Sequence, residues 1–159
     1  MIRIATVTDR HFVYSMYMHP QVNRFLLYEP MDEQEFEPIY KDLLEKKTKF
    51  IYTDNGVPLG MFKLIPLTHR TSHIAYLGGV AIHPDQKGRG HGKKMMEEII
   101  DLAGSRGFLR IELSVADINT TAINLYERTG FQKEGVLRKY SFLKKEERFM
   151  DELLMAYLY

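Results

Sequence analysis

The sequence predicts an α/β fold on a mixed sheet, and three observations predict it. The length and composition suit one compact fold. Apolar residues switch along the chain between a period of two and a period of about 3.6. Turn-forming residues punctuate each switch. With 159 residues the chain is long enough to bury a core without staples, so a single domain over 1–159 is expected. The 45% hydrophobic and 27% charged residues argue against both a disordered chain and a membrane protein. Lys plus Arg (22) nearly balance Asp plus Glu (21), so no global charge recruits nucleic acid or an anionic membrane, and any anion site must be local. The absence of cysteine removes disulfides, thiolate metal sites and a cysteine nucleophile. The opening MIRIATVTDR has no apolar run of signal-peptide length, and no segment approaches a membrane span, so a cytoplasmic location is expected.

Taken in order, Ile2 to Thr6 reads as a short strand, and Asp9 as the cap of a helix reaching Met18, with Pro20 ending it. Asp32 and Glu35 have the spacing of a capping box, which predicts a helix toward Lys46; Pro38 would break it unless it sits in the first turn. Phe50–Thr53 and Leu59–Leu67 flank Asp54-Asn55-Gly56, the signal of an antiparallel hairpin. A turn at His69–Thr71 precedes a strand over Ser72–Ile82. From Met96, the residues Ile99, Ile100 and Ala103 recur at helical spacing, and Gly104 and Gly107 mark the stop. Ile111, Leu113 and Val115 alternate as a strand. Asn119–Arg128 is helical, with Gly130 as its left-handed terminator. Runs at Gln132–Phe142 and Phe149–Leu158 complete the sheet.

The stretch Val80-Ala81-Ile82-His83-Pro84-Asp85-Gln86-Lys87-Gly88-Arg89-Gly90-His91-Gly92 carries a strand through a glycine-rich loop into a helix. Such a junction can bind phosphate: glycines let backbone approach a ligand, successive N–H groups converge, and a helix start adds unpaired donors and a positive dipole end. Lys87, Arg89, Lys93 and Lys94 add charge. The plain alternative is a flexible basic loop before a surface helix. The glycine spacing fits neither GxGxxG nor GxxxxGK[ST], which excludes a Rossmann and a P-loop reading. In the second stretch, Asn119 and Tyr126 stand seven residues apart, so on a helix they share a stripe roughly 10 Å long, with small Ala122 between them. An extended ligand could lie along it; alternatively, Asn119 caps the helix and Tyr126 packs in the core.

In their order and separation, the two stretches resemble the GNAT superfamily of N-acetyltransferases, over about Leu77 to Phe131. The family's acetyl-CoA loop, [QR]xxGx[GA], is met by Gly90 and Gly92, with Lys87 where Gln or Arg is usual. Its later NxxAxxLYxxxGF pattern is met by Asn119, Ala122, Leu125, Tyr126, Gly130 and Phe131. Near the C-terminus, Glu134-Gly135, Arg148-Phe149-Met150-Asp151 and Met155-Ala156 look like the branch acting on free amino acids or protein N-termini.

The resemblance implies a mixed, mostly antiparallel sheet of six to seven strands flanked by about four helices. It also implies acetyl-CoA as co-substrate, with no metal and no residue covalently acylated. By position, Val80 N–H would meet the developing oxyanion, and Ala81 and Ile82 would run beside the pantetheine, with Ile82 pairing its amides. Lys87, Gly88, Arg89, Gly90, His91, Gly92 and Lys93 would take the pyrophosphate. Asn119 would contact the pantetheine arm, and Tyr126 would protonate the leaving thiolate. For the base that deprotonates the amine, Glu112, His73 and Tyr76 are candidates, each with an ordinary structural alternative; none is assigned. The expected acceptor is a small-molecule amine such as an amino acid, its pocket closed by the Tyr-, Phe-, Leu- and Met-rich segment from Met18 to Tyr40. Competing readings are acetylation of a protein N-terminus, as on a ribosomal protein, and a non-catalytic acyl-CoA-binding module, against which Tyr126 argues. A homodimer is left open.

Overall fold

The structure, a computed structural model, describes residues 1–159. In chain order the elements are β1 (Ile2–Ile4), α1 (Arg10–Met18), α2 (Glu33–Glu45), β2 (Lys49–Asp54), β3 (Val57–Pro66) and β4 (Ile74–Ile82). They continue with α3 (His91–Ser105), β5 (Arg110–Ala116), α4 (Thr120–Arg128), β6 (Gln132–Leu143) and β7 (Arg148–Leu158). The seven strands form one sheet in the order β1-β2-β3-β4-β5-β7-β6. β4 and β5 are parallel, whereas β1 with β2, β2 with β3, β5 with β7 and β6 with β7 are antiparallel. This is the mixed, mostly antiparallel sheet with four helices that the sequence leads one to expect. No helix is long and apolar enough to cross a membrane.

The chain divides into two compact units. The first comprises Met1–Leu64 and Gly79–Met95. Its core gathers around Phe36, whose ring lies 5.7 Å from those of Tyr14 and Tyr17 and 6.0 Å from Tyr40. α2 starts at the expected capping box: Glu35 N–H donates to Asp32 Oδ1 (2.8 Å), and Asp32 N–H donates to Glu35 Oε2 (3.0 Å). Pro38, however, sits in the second turn, and the helix runs through it. Phe36, Tyr40 and Leu43 are buried on one face. Burying each is worth about 1.5–3 kcal/mol, enough to offset the roughly 3 kcal/mol that an interior proline costs. The hairpin forms as its turn residues require, with Asn55 and Gly56 both at positive φ (48° and 80°).

Asp9 departs from the capping role expected of it. It stands at the N-cap of α1, but its carboxylate makes no cap hydrogen bond. It receives a fork from Arg3 instead (Nη1 to Oδ2 2.7 Å, Nη2 to Oδ1 2.8 Å), together with Thr6 N–H (2.9 Å). A nearby guanidinium outcompetes a cap because a charge-assisted, bidentate pair is the stronger bond.

The second unit comprises Ile65–Gly78 and Met96–Tyr159. Gly104, expected to stop the preceding helix, lies inside α3, and the stop belongs to Gly107 (φ 83°) alone. At Gly104 a Cβ would come within 2.9 Å of the Tyr159 ring, so the glycine serves a close approach. α3 also begins earlier than its apolar period suggests, at His91 rather than Met96. Gly130 (φ 99°) ends α4 as expected, with Phe131 N–H donating to Tyr126 O (3.0 Å). β6 bulges before Ser141, where Lys139 N–H donates to Asp151 Oδ1 (2.7 Å).

The Arg3 fork holds the Asp9 carboxyl below its ordinary value of 3.8. Its stabilisation is therefore present above that value and lost as pH falls through the lower, folded-state value. Asp9→Asn is expected to destabilise the fold by about 1–3 kcal/mol at pH 7 and to flatten the acid limb of stability. Urea unfolding at pH 7 and at successively lower pH checks both, and an unchanged acid limb would contradict the assignment.

Candidate functional site

In the first unit the candidate phosphate loop follows the end of β4. Pairing of β4 with β5 stops at Tyr76 and Glu112, so from Leu77 onward β4 runs without that neighbour. Gly79 takes φ 56° within the strand. Val80 and Ile82 are half-buried, and Ala81 is buried. His83 N–H donates to Leu59 O (2.8 Å), and a single turn at Pro84–Gln86 leads to Lys87, whose N–H is taken by Pro84 O (3.0 Å).

Gly88 and Gly90 both have positive φ (78° and 81°), with open space where a Cβ would project. The first helical bond across the boundary is Lys94 N–H to Gly90 O (3.2 Å). The N–H groups of Gly88, Gly90, His91 and Gly92 have no acceptor in the chain. These are the free donors of a helix start and the glycine turn before it, and they suit a pyrophosphate. Lys87, Arg89 and Lys93 are exposed around them. Two residues differ from expectation. The His91 ring is buried and its Nδ1 lies 3.2 Å from Tyr52 Oη, so only its backbone N–H can serve a ligand. Gly92 is helical, without the positive φ that would demand glycine.

In the second unit Asn119 caps α4, its Oδ1 accepting from Ala122 N–H at 3.3 Å, which leaves its Nδ2 for other partners. Tyr126 is 6% exposed, its ring 5.9 Å from Phe131. Burial, then the neighbouring Tyr76, push its hydroxyl pKa well above 10, so it keeps its proton at neutral pH. The Tyr76 hydroxyl lies 3.2 Å from Ser114 Oγ and feels Tyr140 and Glu152. Glu112 is bound to Arg110 (3.1 Å), which also forks onto Glu134 (2.8 Å), the ordinary structural role. His73 is exposed. Glu152 escaped the sequence reading; its signal was a second acid, beside Asp151, at the head of the apolar run Leu153–Leu158 of β7.

The other feature missed from sequence is a pair of lysines in the first unit. Lys49 and Lys63 lie on strands almost wholly buried, are 1% and 8% exposed, and form no ion pair. An uncompensated buried ammonium costs several kcal/mol, of which an aromatic face returns about 2 kcal/mol. Burial accordingly lowers both pKa values, that of Lys49 well below 10.5, with Lys63 as the second cause there. No group of three His, Asp or Glu residues is placed to hold a metal ion.

Residues 12–131 match the model of the acetyltransferase (GNAT) family. Over 66 residues the chain is 38% identical to the ribosomal protein bS18-alanine N-acetyltransferase of Salmonella typhimurium, covering 42% of this chain and 45% of that one. Over 88 residues it is 34% identical to an L-amino acid N-acetyltransferase of Escherichia coli, covering 55% and 52%. The chain thus spans about half the length of these curated relatives. Among solved structures, spermidine N-acetyltransferase from Vibrio cholerae in complex with CoA and spermine matches with a TM-score of 0.87 at 23% identity. That match covers 99% of this chain and 94% of that one, a likeness of fold. The family model spans both the glycine loop and the Asn119–Phe131 stretch, and the chain belongs to the acetyltransferase (GNAT) family.

Proposed function

We infer that residues 1–159 act as one N-acetyltransferase domain that transfers an acetyl group from acetyl-CoA to a primary amine, the amine being that of a small molecule such as an amino acid. The observation that carries this reading is the set of unpaired amides at Gly88, Gly90, His91 and Gly92, ringed by exposed cations: a cradle for a pyrophosphate on a fold that structural neighbours adopt in complex with CoA or acetyl-CoA. The L-amino acid relative supports a small acceptor. The bS18-alanine relative favours the second reading, a protein N-terminus.

Acetyl-CoA supplies an activated acyl carbon. The amine nitrogen bonds to it as the carbon–sulfur bond breaks; the ammonium proton must leave before attack, and the departing thiolate must gain one. Val80 N–H is assigned to the charge that develops on the carbonyl oxygen, and Ala81 and Ile82 to the pantetheine. Lys87, Gly88, Arg89, Gly90, His91, Gly92 and Lys93 hold the pyrophosphate, His91 through its backbone. Asn119 binds the pantetheine arm through its uncommitted amide, and Tyr126 protonates the thiolate. Burial weakens Tyr126 as an acid. The same low polarity makes a thiolate more basic, so the proton still has a destination.

Two outcomes follow from these assignments. Gly90→Val should abolish detectable acetyl-CoA binding in the folded protein. There is room for the new side chain, so the loss comes from denying the backbone its positive φ. Lys87→Glu should weaken binding about tenfold or more at low salt, and less as salt screens the repulsion. Calorimetric titration reads both, and parental affinity in both variants would remove the loop from the site. Tyr126→Phe should lower kcat about 10²-fold while leaving acetyl-CoA affinity and unfolding temperature near parental values. Pre-steady-state thiol release with an accepted amine measures it, and an unchanged chemical step would return Tyr126 to packing. Cofactor binding without turnover on any amine would mark a binding module instead.

A further inference from the structure

The two lysines without acids converge on one point. Lys49 and Lys63 are direct partners across the β2–β3 ladder and so share one face of the sheet. Lys49 Nζ donates to Tyr17 Oη (3.0 Å) and stands 4.6 Å from that ring's centroid. Lys63 Nζ stands 5.6 Å from the centroid of Tyr28. The third wall is β4: a Cβ on Gly79 would lie 3.0 Å from Tyr17 Oη, 3.6 Å from Lys63 Cε and 3.8 Å from Lys49 Nζ. The Lys49 amine and the Lys63 side chain thus both come close to Gly79, the residue before Val80, the group assigned above to the reacting carbonyl.

We propose that Lys49 and Lys63 form an acceptor subsite for a carboxylate, so that the amine acetylated is one bearing a carboxylate on the adjacent carbon, an α-amino acid. This rests on the acetyltransferase reading and narrows its substrate class. Two buried amines lined by tyrosines lack an anion to support their charge, and a carboxylate supplies both the charge and the acceptor oxygens that two ammonium groups need. One carbon separates the carboxylate from the amine in an α-amino acid, so a carboxylate held at Gly79 brings the amine beside Val80. A polyamine would bring further positive charge beside two amines that have no acid to support their own. A protein N-terminus carries an amide at that position and leaves the lysines without a counter-charge.

The groups facing the pair are Tyr17 from α1 and Tyr28 from the segment before α2, itself influenced by Asp42. No carboxylate of the chain supports the charged lysines, and burial favours their neutral forms. A bound carboxylate favours the ammonium forms, so binding must take up protons and weaken as pH rises.

The test uses L-alanine, L-leucine and L-phenylalanine, each against its amide, with the parent chain, Lys49→Met and Lys63→Met. Lys63→Gln serves as a second variant that keeps a polar group. Calorimetry in buffers of different ionisation enthalpy reads proton uptake without acetyl-CoA, and thiol release reads transfer. The parent should bind at least one free acid with proton uptake and prefer it to its amide by about 10²-fold in kcat/KM. In the variants proton uptake should disappear and the preference fall toward parity, with the amide's kcat/KM within a few-fold of parental. Acetylation of amides and acids alike by the parent, or a preference surviving in the variants, overturns the subsite while leaving the acetyltransferase reading intact. Variants that lose acid and amide equally also overturn it, since a lysine would then be accepting the amine's proton. Lysine-dependent proton uptake without any acetyl transfer would uphold the subsite and fail the enzyme reading.

Discussion

The candidate cofactor segment is organised around the interruption of one ladder. β4 has β5 as a parallel partner for three residue pairs, Ile74 to Tyr76 with Arg110 to Glu112, and then loses it. A strand normally spends its backbone donors on its neighbours. Here the last six residues of β4 keep part of that capacity, and Gly79 turns the chain in the middle of the stretch. The loop beyond repeats the pattern with Gly88 and Gly90. The free amides of Gly88, Gly90, His91 and Gly92 lie together on one short segment beyond that strand.

Features set by neighbours in sequence were the legible ones. Asn55-Gly56 specifies its turn because both residues tolerate positive φ, and Asp32 with Glu35 specifies a helix start because each reaches the other's backbone. The glycine loop and the Asn119–Tyr126 spacing were readable for the same reason. Misreadings arose where packing or pairing in three dimensions decides. Asp9 gives its carboxylate to Arg3, Gly104 yields to a ring 55 positions away, and Pro38 is tolerated because Phe36 and Tyr40 anchor the helix around it.

The lysines illustrate the limit most clearly. In KFIYTD and VPLGMFKLIP, a lysine reads as the residue that faces water or ends a strand. Central strands are covered on both faces, however, so alternation carries no information about which residues are wet. Only the covering layer, with Tyr17 from α1 and Tyr28 ahead of α2, shows that Lys49 and Lys63 lie inside. The aromatic segment from Met18 to Tyr40 likewise proves to be two things. Phe36 and Tyr40 are buried core, whereas Leu27 is 75% exposed.

The unpaired amides of the glycine loop also bear on how long the protein survives. A ligand that engages those donors only in the folded state stabilises that state by mass action, by about 2.7 kcal/mol at a hundredfold excess over its dissociation constant. Resistance to unfolding, and hence to any protease that attacks unfolded chains, would then track the supply of such a ligand, and a small molecule's concentration would become a determinant of the protein's lifetime.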